Sequence, residues 1–322
     1  VKNGQANAKE SSEMDNTFNI ELNRAGCVSA DEAEHKRLRQ DSLLSTISGV
    51  FRFRPDAGVS TRRGSSHDQN QDCGLAPVPG FPVIAVADGI SRSNRGEVAS
   101  RLALMPFAMS RITGCSDLTQ LAFAANDFVK RCYELFDAGK PGQTTLVAAR
   151  VRRLAIAEYM SIGDSRAYML TPQGFLKRRY RCKQITTDQT HGERKKRVTY
   201  KEPDKFRNDM MIHAIGAGLI AEEIETGTVS IPPGGMLLLA TDGFFNGMGE
   251  DHCSQIARLA DKYCGMGMQK LAAALVSEAA ENFDTGDDIT VAVISPAYLA
   301  GARWPFWGAA MAALLTCILT VF

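Results

Sequence analysis

Two apolar runs in this chain end on the same pair of residues. "VIAVADGISRS" (83–93) stops at Asp88-Gly89, and "MLLLATDGFFNG" (236–247) stops at Asp242-Gly243. A carboxylate at the rim of a sheet is reachable by solvent yet rigidly held. The glycine after it lets the backbone turn, so that its carbonyl oxygen can face the same space. Other acidic residues have similar settings: Asp72 just before a turn in "NQDC" (70–73), Asp164 in a Gly-Asp turn between two strands in "YMSIGDSRAYML" (159–170), and Asp287 and Asp288 at the start of a terminal strand in "TGDDITVAVI" (285–294). Singly, each reads as an ordinary turn aspartate, because Asp-Gly is a common turn dipeptide. Five such rim settings in one domain point instead to a shared cation site. Oxygen donors with no His or Cys beside them select hard cations, Mg²⁺ or Mn²⁺, over zinc. Several carboxylates around one site imply two ions, which suits in-line displacement at phosphorus.

Such carboxylates need strands to deliver them and helices to cover the strands. Candidate strands lie at 82–87, 143–151, 154–162, 165–170, 235–241 and 289–294, with a first strand around 49–55. Apolar residues at three- and four-residue intervals predict helices at 96–112, 117–136 and 268–283, and a further helix is possible over 31–50. Strands follow one another without regular βαβ alternation, so the fold class is α+β. The 322 residues, 44% hydrophobic and 23% charged, suit one main globular domain plus appendages. Lys+Arg 37 against Asp+Glu 36 gives a net charge of +1, which offers no global basic field for nucleic acid. The eight cysteines show no metal-type spacing, and reduced thiols are expected.

The order of motifs resembles the metal-dependent protein phosphatases of type 2C (PPM) in their bacterial form. The pieces that carry the resemblance are "NQDC" (70–73), "VADGISRS" (86–93) with "GEVAS" (96–100), "GQTTLVAARV" (142–151), "SIGDSRAYML" (161–170), "ITTDQT" (185–190), "HAIGAG" (213–218), "LLLATDGFFNGM" (237–248) and "GDDITVAVI" (286–294). They fall in the family's order over about residues 50–297. The resemblance implies a four-layer αββα sandwich of two antiparallel sheets flanked by helices, with a metal centre in a cleft at one end. By position, Asp88 would bridge two ions with help from the Gly89 carbonyl. Asp242 and Asp287 would complete one ion's shell, Asp72 would hydrogen-bond metal-bound water, and Asp164 with Asp242 would hold a possible third ion. The implied activity is hydrolysis of phosphoserine and phosphothreonine by a hydroxide shared between two Mg²⁺ or Mn²⁺ ions, with phosphorylated proteins, the targets of a Ser/Thr kinase, as substrates.

Some positions depart from the family's pattern. His67 stands five residues before Asp72, where many members place a phosphate-gripping arginine. It is open to three readings: a phosphate ligand, a proton donor to the leaving alkoxide, or a loop histidine satisfied by its neighbours. Ile90 stands where eukaryotic members carry a histidine after Asp-Gly, so the usual general-acid place is unfilled. Arg92 and Arg95 lie close enough in sequence to reach phosphate, Asp288 replaces a common asparagine, and His213 replaces a frequent arginine. Asp288 could strengthen metal binding or be solvated.

The remaining segments concern location and partners. Residues 1–45 are polar and read as disordered, with no apolar stretch of signal-peptide length, and the start at Val1 leaves open that this is a fragment. The phosphatase-like domain is assigned to 46–297 and a linker to 298–303. "WPFWGAAMAALLTCILTVF" (304–322) holds no charge in 19 residues. As a helix it would reach roughly 28 Å, close to the thickness of a bilayer core. Trp304 and Trp307 at its entry and Arg303 before them predict a single-pass C-terminal anchor with the catalytic domain on the cytoplasmic side of the membrane. The stretch 177–201 carries ten Lys/Arg against two acidic residues. It reads as a mobile flap, as a contact for acidic phosphoproteins or as an attraction to anionic lipid. It lacks the aromatic interleaving of a nucleic-acid site, so no nucleic-acid partner is expected. A catalytically weak binding module on the same fold is the alternative function, which loss of the carboxylates would favour. None of them is lost.

Overall fold

A computed structural model describes residues 27–28, 56–77, 83–135, 139–152, 155–173, 179–190 and 211–296. The expected strand at 49–55, the helix at 31–50 and the apolar segment 304–322 lie outside these residues. No helix among the described residues is long and apolar enough to cross a membrane.

In chain order the main elements are β1 (Cys27–Val28), β2 (Asp56–Arg62), β3 (Asp72–Leu75), β4 (Val83–Asp88), α1 (Gly96–Thr113), α2 (Leu118–Leu135), β5 (Leu146–Val151), β6 (Ile156–Ile162), β7 (Arg166–Gln173), β8 (Arg179–Gln184), β9 (Glu225–Ser230), β10 (Met236–Ala240), the short α3 (Asp242–Phe245), α4 (His252–Tyr263), α5 (Met268–Asn282) and β11 (Ile289–Ser295). They form two sheets, ordered β1-β3-β4-β5-β6-β9 and β2-β11-β10-β7-β8. Every neighbouring pair is antiparallel.

Side-chain alternation along the strands assigns the layers. On β4, Ala85 and Ala87 join Leu102, Phe107, Leu121 and Val129 in the cluster under α1 and α2, whereas Ile84 and Val86 meet Leu237, Leu239 and Ala292 between the sheets. Leu238 and Ala240 of β10 point the other way, into a third cluster with Ile256, Leu271 and Leu275 of α4 and α5. The stack is therefore helices, sheet, sheet, helices, as the resemblance implies. Phe107, Tyr168 and Phe244 are among its largest fully buried side chains. Burying one such apolar side chain is worth about 1.5–3 kcal/mol.

Several elements escape the sequence expectations. The strand β9 reads "ETGTVS" and is half exposed along its length, and β8 reads "RYRCKQ" within the basic stretch. The strand β3 is four residues long with Gly74 inside it, where a Cβ would lie 2.5 Å from Val59 Cγ1. The described portion of the supposed flap thus begins as sheet. β2 and α4 are likewise absent from the sequence expectations. Cys73 is disulfide-bonded, against the expectation of reduced thiols, while Cys115, Cys132, Cys182, Cys253 and Cys264 are free.

Candidate metal centre

Period-two alternation that buries Ile84 and Val86 between the sheets carries Asp88, the last residue of β4, into the same seam. Across the ladder Asp72 stands directly opposite it. Asp72 opens β3 and does not precede a turn, and it is 5% exposed, so it is not the solvent-reachable rim carboxylate expected. Its Oδ2 accepts a 2.7 Å bond from Thr241 Oγ1, while its buried Oδ1 has no hydrogen-bond partner. Thr241 in turn accepts the Thr290 N–H at 2.9 Å, joining the ends of β10 and β11 beneath Asp72.

Asp88 is fixed through its backbone. Its N–H donates to Thr145 Oγ1 at 3.0 Å, and its carbonyl accepts from Thr145 N at 2.8 Å and from Thr144 Oγ1 at 2.7 Å. Gly89 is required here: a Cβ would lie 2.2 Å from Gly96 O. Asp242 begins α3 at the end of β10; its Oδ2 accepts from Asn246 Nδ2 at 3.0 Å and its buried Oδ1 is unpartnered. Asp164 sits in the β6–β7 turn beside Gly163, whose φ of 97° is in the left-handed region. Asp287 precedes β11, and a Cβ on Gly243 would lie 2.1 Å from Asp288 O.

The carboxylates act on one another electrostatically. Burial raises the Asp88 carboxyl well above its ordinary value, and repulsion from Asp72, Asp242, Asp164 and Asp287 raises it further. Burial, then Asp288 and Asp242, raise Asp72 despite the Thr241 bond. Burial and Asp287 raise Asp242, which hydrogen bonds from the Gly243 N–H and from Asn246 partly offset. Burial, Asp242 and Asp188 lift Asp164 to about 7. Every one of these four raised acids resists ionisation in the ion-free protein because it is buried among other acids. An oxygen-only donor set with two orphaned buried oxygens fits hard divalent cations.

The departures from the family pattern find concrete places. Asp288 is buried at 2% exposure and is not solvated. Its Oδ1 accepts from Gly64 N at 2.7 Å, and its Oδ2 accepts from Gln71 N at 2.7 Å and lies 2.9 Å from His67 Nδ1. His67 Nδ1 also lies 3.6 Å from Asp287 Oδ1, so a histidine does flank the carboxylates, contrary to the sequence expectation. His67, Asp287 and Asp288 bring their donor atoms within 4.8 Å of one another. Arg95 pairs with Glu97 at 3.1 Å, and His213 Nδ1 lies 3.0 Å from Glu223 Oε1. Arg166 makes two bonds to Asp188, at 2.9 and 2.6 Å, and lies 3.8 Å over the Phe245 ring. Sequence reasoning misses Thr241, Thr145 and Asp288 as supports for the aspartates. Their only signal is adjacency, in "ATDG", "GQTT" and "GDD".

Comparison with known proteins agrees with this fold. A family model described as stage II sporulation protein E (SpoIIE) matches residues 207–296. No curated protein matches the sequence. Among solved structures, the serine/threonine phosphatase PstP/Ppp of Mycobacterium tuberculosis is 21% identical with a TM-score of 0.58, covering 75% of this chain and 98% of its own. The PstP catalytic domain in complex with two manganese ions is 22% identical, with a TM-score of 0.58 and coverage of 75% and 97%. The PPM Ser-Thr phosphatase MsPP of Mycobacterium smegmatis, in complex with cacodylate, is 27% identical, with a TM-score of 0.56 and coverage of 74% and 97%. The chain has the fold of the bacterial PPM phosphatases, and its structural neighbours are metal-dependent serine/threonine phosphatases.

Proposed function

We propose that this protein is a metal-dependent phosphatase acting on phosphoserine and phosphothreonine in proteins. What supports the reading is the repulsion that Asp72, Asp164, Asp242 and Asp287 exert on the buried Asp88, with Asp72 Oδ1 and Asp242 Oδ1 buried and unpartnered. Asp88, at the hub, would be shared between two ions beside the Gly89 carbonyl. Asp242 and Asp287 would serve one of them, and Asp164 with Asp242 a third. A pair of dications there would supply an acidified water and offset the charge that builds on the phosphoryl oxygens.

The chain's own residues set the geometry of that site. Thr241 holds Asp72 facing inward, Thr144 and Thr145 fix the end of β4, and the close approach at Gly89 keeps the following loop against Gly96. Mg²⁺ and Mn²⁺ both suit these oxygen donors. Phosphoproteins made by a Ser/Thr kinase are the substrates in this reading. The uncharged stretch 304–322 supports a membrane tether, with catalysis on the cytoplasmic side.

The test is hydrolysis of a phosphothreonine peptide by the chain with Mn²⁺, with Mg²⁺ and with EDTA, beside Asp242→Asn. Turnover that needs the metal and is lost in the variant supports the reading. Folded protein with no turnover under any condition favours a binding module on the same fold, for which Ile90 at the usual acid position would be a sign of lost catalysis.

A further inference from the structure

We propose that the segment "ITTDQT" (185–190) is the element that positions Asp164 beside Asp242 for a divalent cation, through Gln189 on one side of Asp164 and the Asp188–Arg166 pair on the other; this rests on the phosphatase reading above. The strand register brings the two acids together. The last pair of β7 and β10 is Arg166 opposite Ala240, and two residues further along each chain stand Asp164 and Asp242. Asp242 Oδ1 is buried there without a partner. Asp164, unlike Asp72 and Asp88, belongs to no strand and lies in the turn between β6 and β7. The ladder does not fix it, so contacts outside the ladder must.

The segment grips that turn at both ends. Before Asp164, Gln189 brackets Gly163: its Oε1 accepts the Gly163 N–H at 2.9 Å, and its own backbone N–H donates to the Gly163 carbonyl, also at 2.9 Å. After Asp164, Asp188 accepts two bonds from the Arg166 guanidinium, at 2.9 and 2.6 Å. The same guanidinium lies 3.8 Å over the ring of Phe245, three residues beyond Asp242 in α3. Arg166 therefore links the turn that carries Asp164 to the helix that begins with Asp242. A planar guanidinium held between a carboxylate and an aromatic face has little freedom to shift.

The segment is itself fastened to both sheets. Along β7, the Ile185 N–H donates to the Ala167 carbonyl and the Ala167 N–H to Thr186 Oγ1, each at 2.9 Å. Toward the other sheet, the Thr187 N–H donates to Glu225 Oε2 at 2.7 Å, at the start of β9, and Gln189 Nε2 donates to the Glu223 carbonyl at 2.8 Å. Asp188 and Gln189 spend their oxygens on Arg166 and Gly163, so neither is offered to an ion. Their effect is on where the Asp164 carboxylate stands, and outer partners of this kind are worth about 10–100-fold in metal affinity.

The experiment is calorimetric Mn²⁺ binding to the metal-stripped full chain, with phosphothreonine-peptide turnover read on the same samples. Asp164→Asn identifies the binding step that uses Asp164. Gln189→Met keeps the length of the side chain and removes its bonds to Gly163 and Glu223; Arg166→Met removes the fork on Asp188. Each should weaken that one step about tenfold or more and leave the other steps within about threefold. A merely structural role would lower the melting temperature without singling out that step. Arg166→Lys keeps the charge but not the fork, and should not restore the step. Gln189→Met leaves no buried charge unpaired, so it decides the matter if Arg166→Met does not fold. A second readout needs no ion: the Gly163 amide should exchange with solvent about tenfold faster in Gln189→Met than in the parent. Equal weakening of every step, no step that depends on Asp164, full restoration by Arg166→Lys, or unchanged Gly163 exchange in Gln189→Met overturns the proposal, while turnover by the parent keeps the phosphatase reading. Absence of turnover by the parent overturns that reading, and this proposal with it.

Discussion

Asp72 and Asp88 face each other directly across the β3–β4 ladder, two acidic side chains at one position of an antiparallel pair. Like charges so placed repel, and here burial deepens the penalty. The protein keeps a pair that its own stability disfavours.

Removing one of these charges should therefore stabilise the ion-free protein. Asp88→Asn, measured by urea denaturation in EDTA, is expected to be more stable than the parent by about 1 kcal/mol or more, while losing phosphatase turnover. A loss of ion-free stability would contradict the repulsion read from the structure.

The same repulsion sets a pH dependence. Asp164 rises from the ordinary 3.8 to about 7, and Asp72, Asp88 and Asp242 are raised as well. A carboxyl whose folded pKa lies above its unfolded value holds its proton more tightly in the folded state. Its contribution is complete below the unfolded value and is lost as pH rises through the folded one. Ion-free protein should thus lose stability between about pH 4 and pH 7 from Asp164 alone, by about 1.4 kcal/mol for each step of one in pH. Thermal melts in EDTA across that range check the sign. Saturating Mn²⁺ should flatten or reverse the slope.

Thr241 has no charge, yet it braces Asp72 by donating to Oδ2 and accepting from the Thr290 N–H. Thr241→Val keeps the shape and strands both partners in a buried site. The expected cost is about 1–3 kcal/mol of stability, with weaker Mn²⁺ binding by calorimetry. An unchanged affinity would show that Asp72 needs no brace.

Gly89→Ala places a methyl 2.2 Å from Gly96 O, a backbone atom that cannot swing aside. The loop carrying Ser91 must move away from Gly96. Turnover on phosphopeptide should fall at least tenfold even if the fold survives, since small displacements at a reacting site are costly.

Much of this is legible from sequence because the same residues that make the strands apolar also time the carboxylates. Ile84, Val86 and Asp88 share one face, so the strand that builds the inter-sheet core also aims the acid. What escapes detection is polar and nonlocal. Asp288 reads as a neighbour of Asp287 open to solvation, because its partners Gly64, His67 and Gln71 lie more than two hundred residues away in the chain. Asp72 reads as preceding a turn because "DCGL" is too short, and too interrupted by Gly74, to announce a strand. β8 and β9 are hidden by exposure, since edge strands carry charged and polar side chains on one face or both.

The most direct test of the central claim is a Mn²⁺ titration of the metal-stripped chain, reading calorimetric binding and phosphothreonine-peptide hydrolysis on the same samples, with Asp88→Asn beside it. The arrangement of the five aspartates predicts binding of at least two ions, turnover that rises as the sites fill, and loss of both in the variant. Hydrolysis that persists in EDTA, or full Mn²⁺ binding by Asp88→Asn, would contradict it.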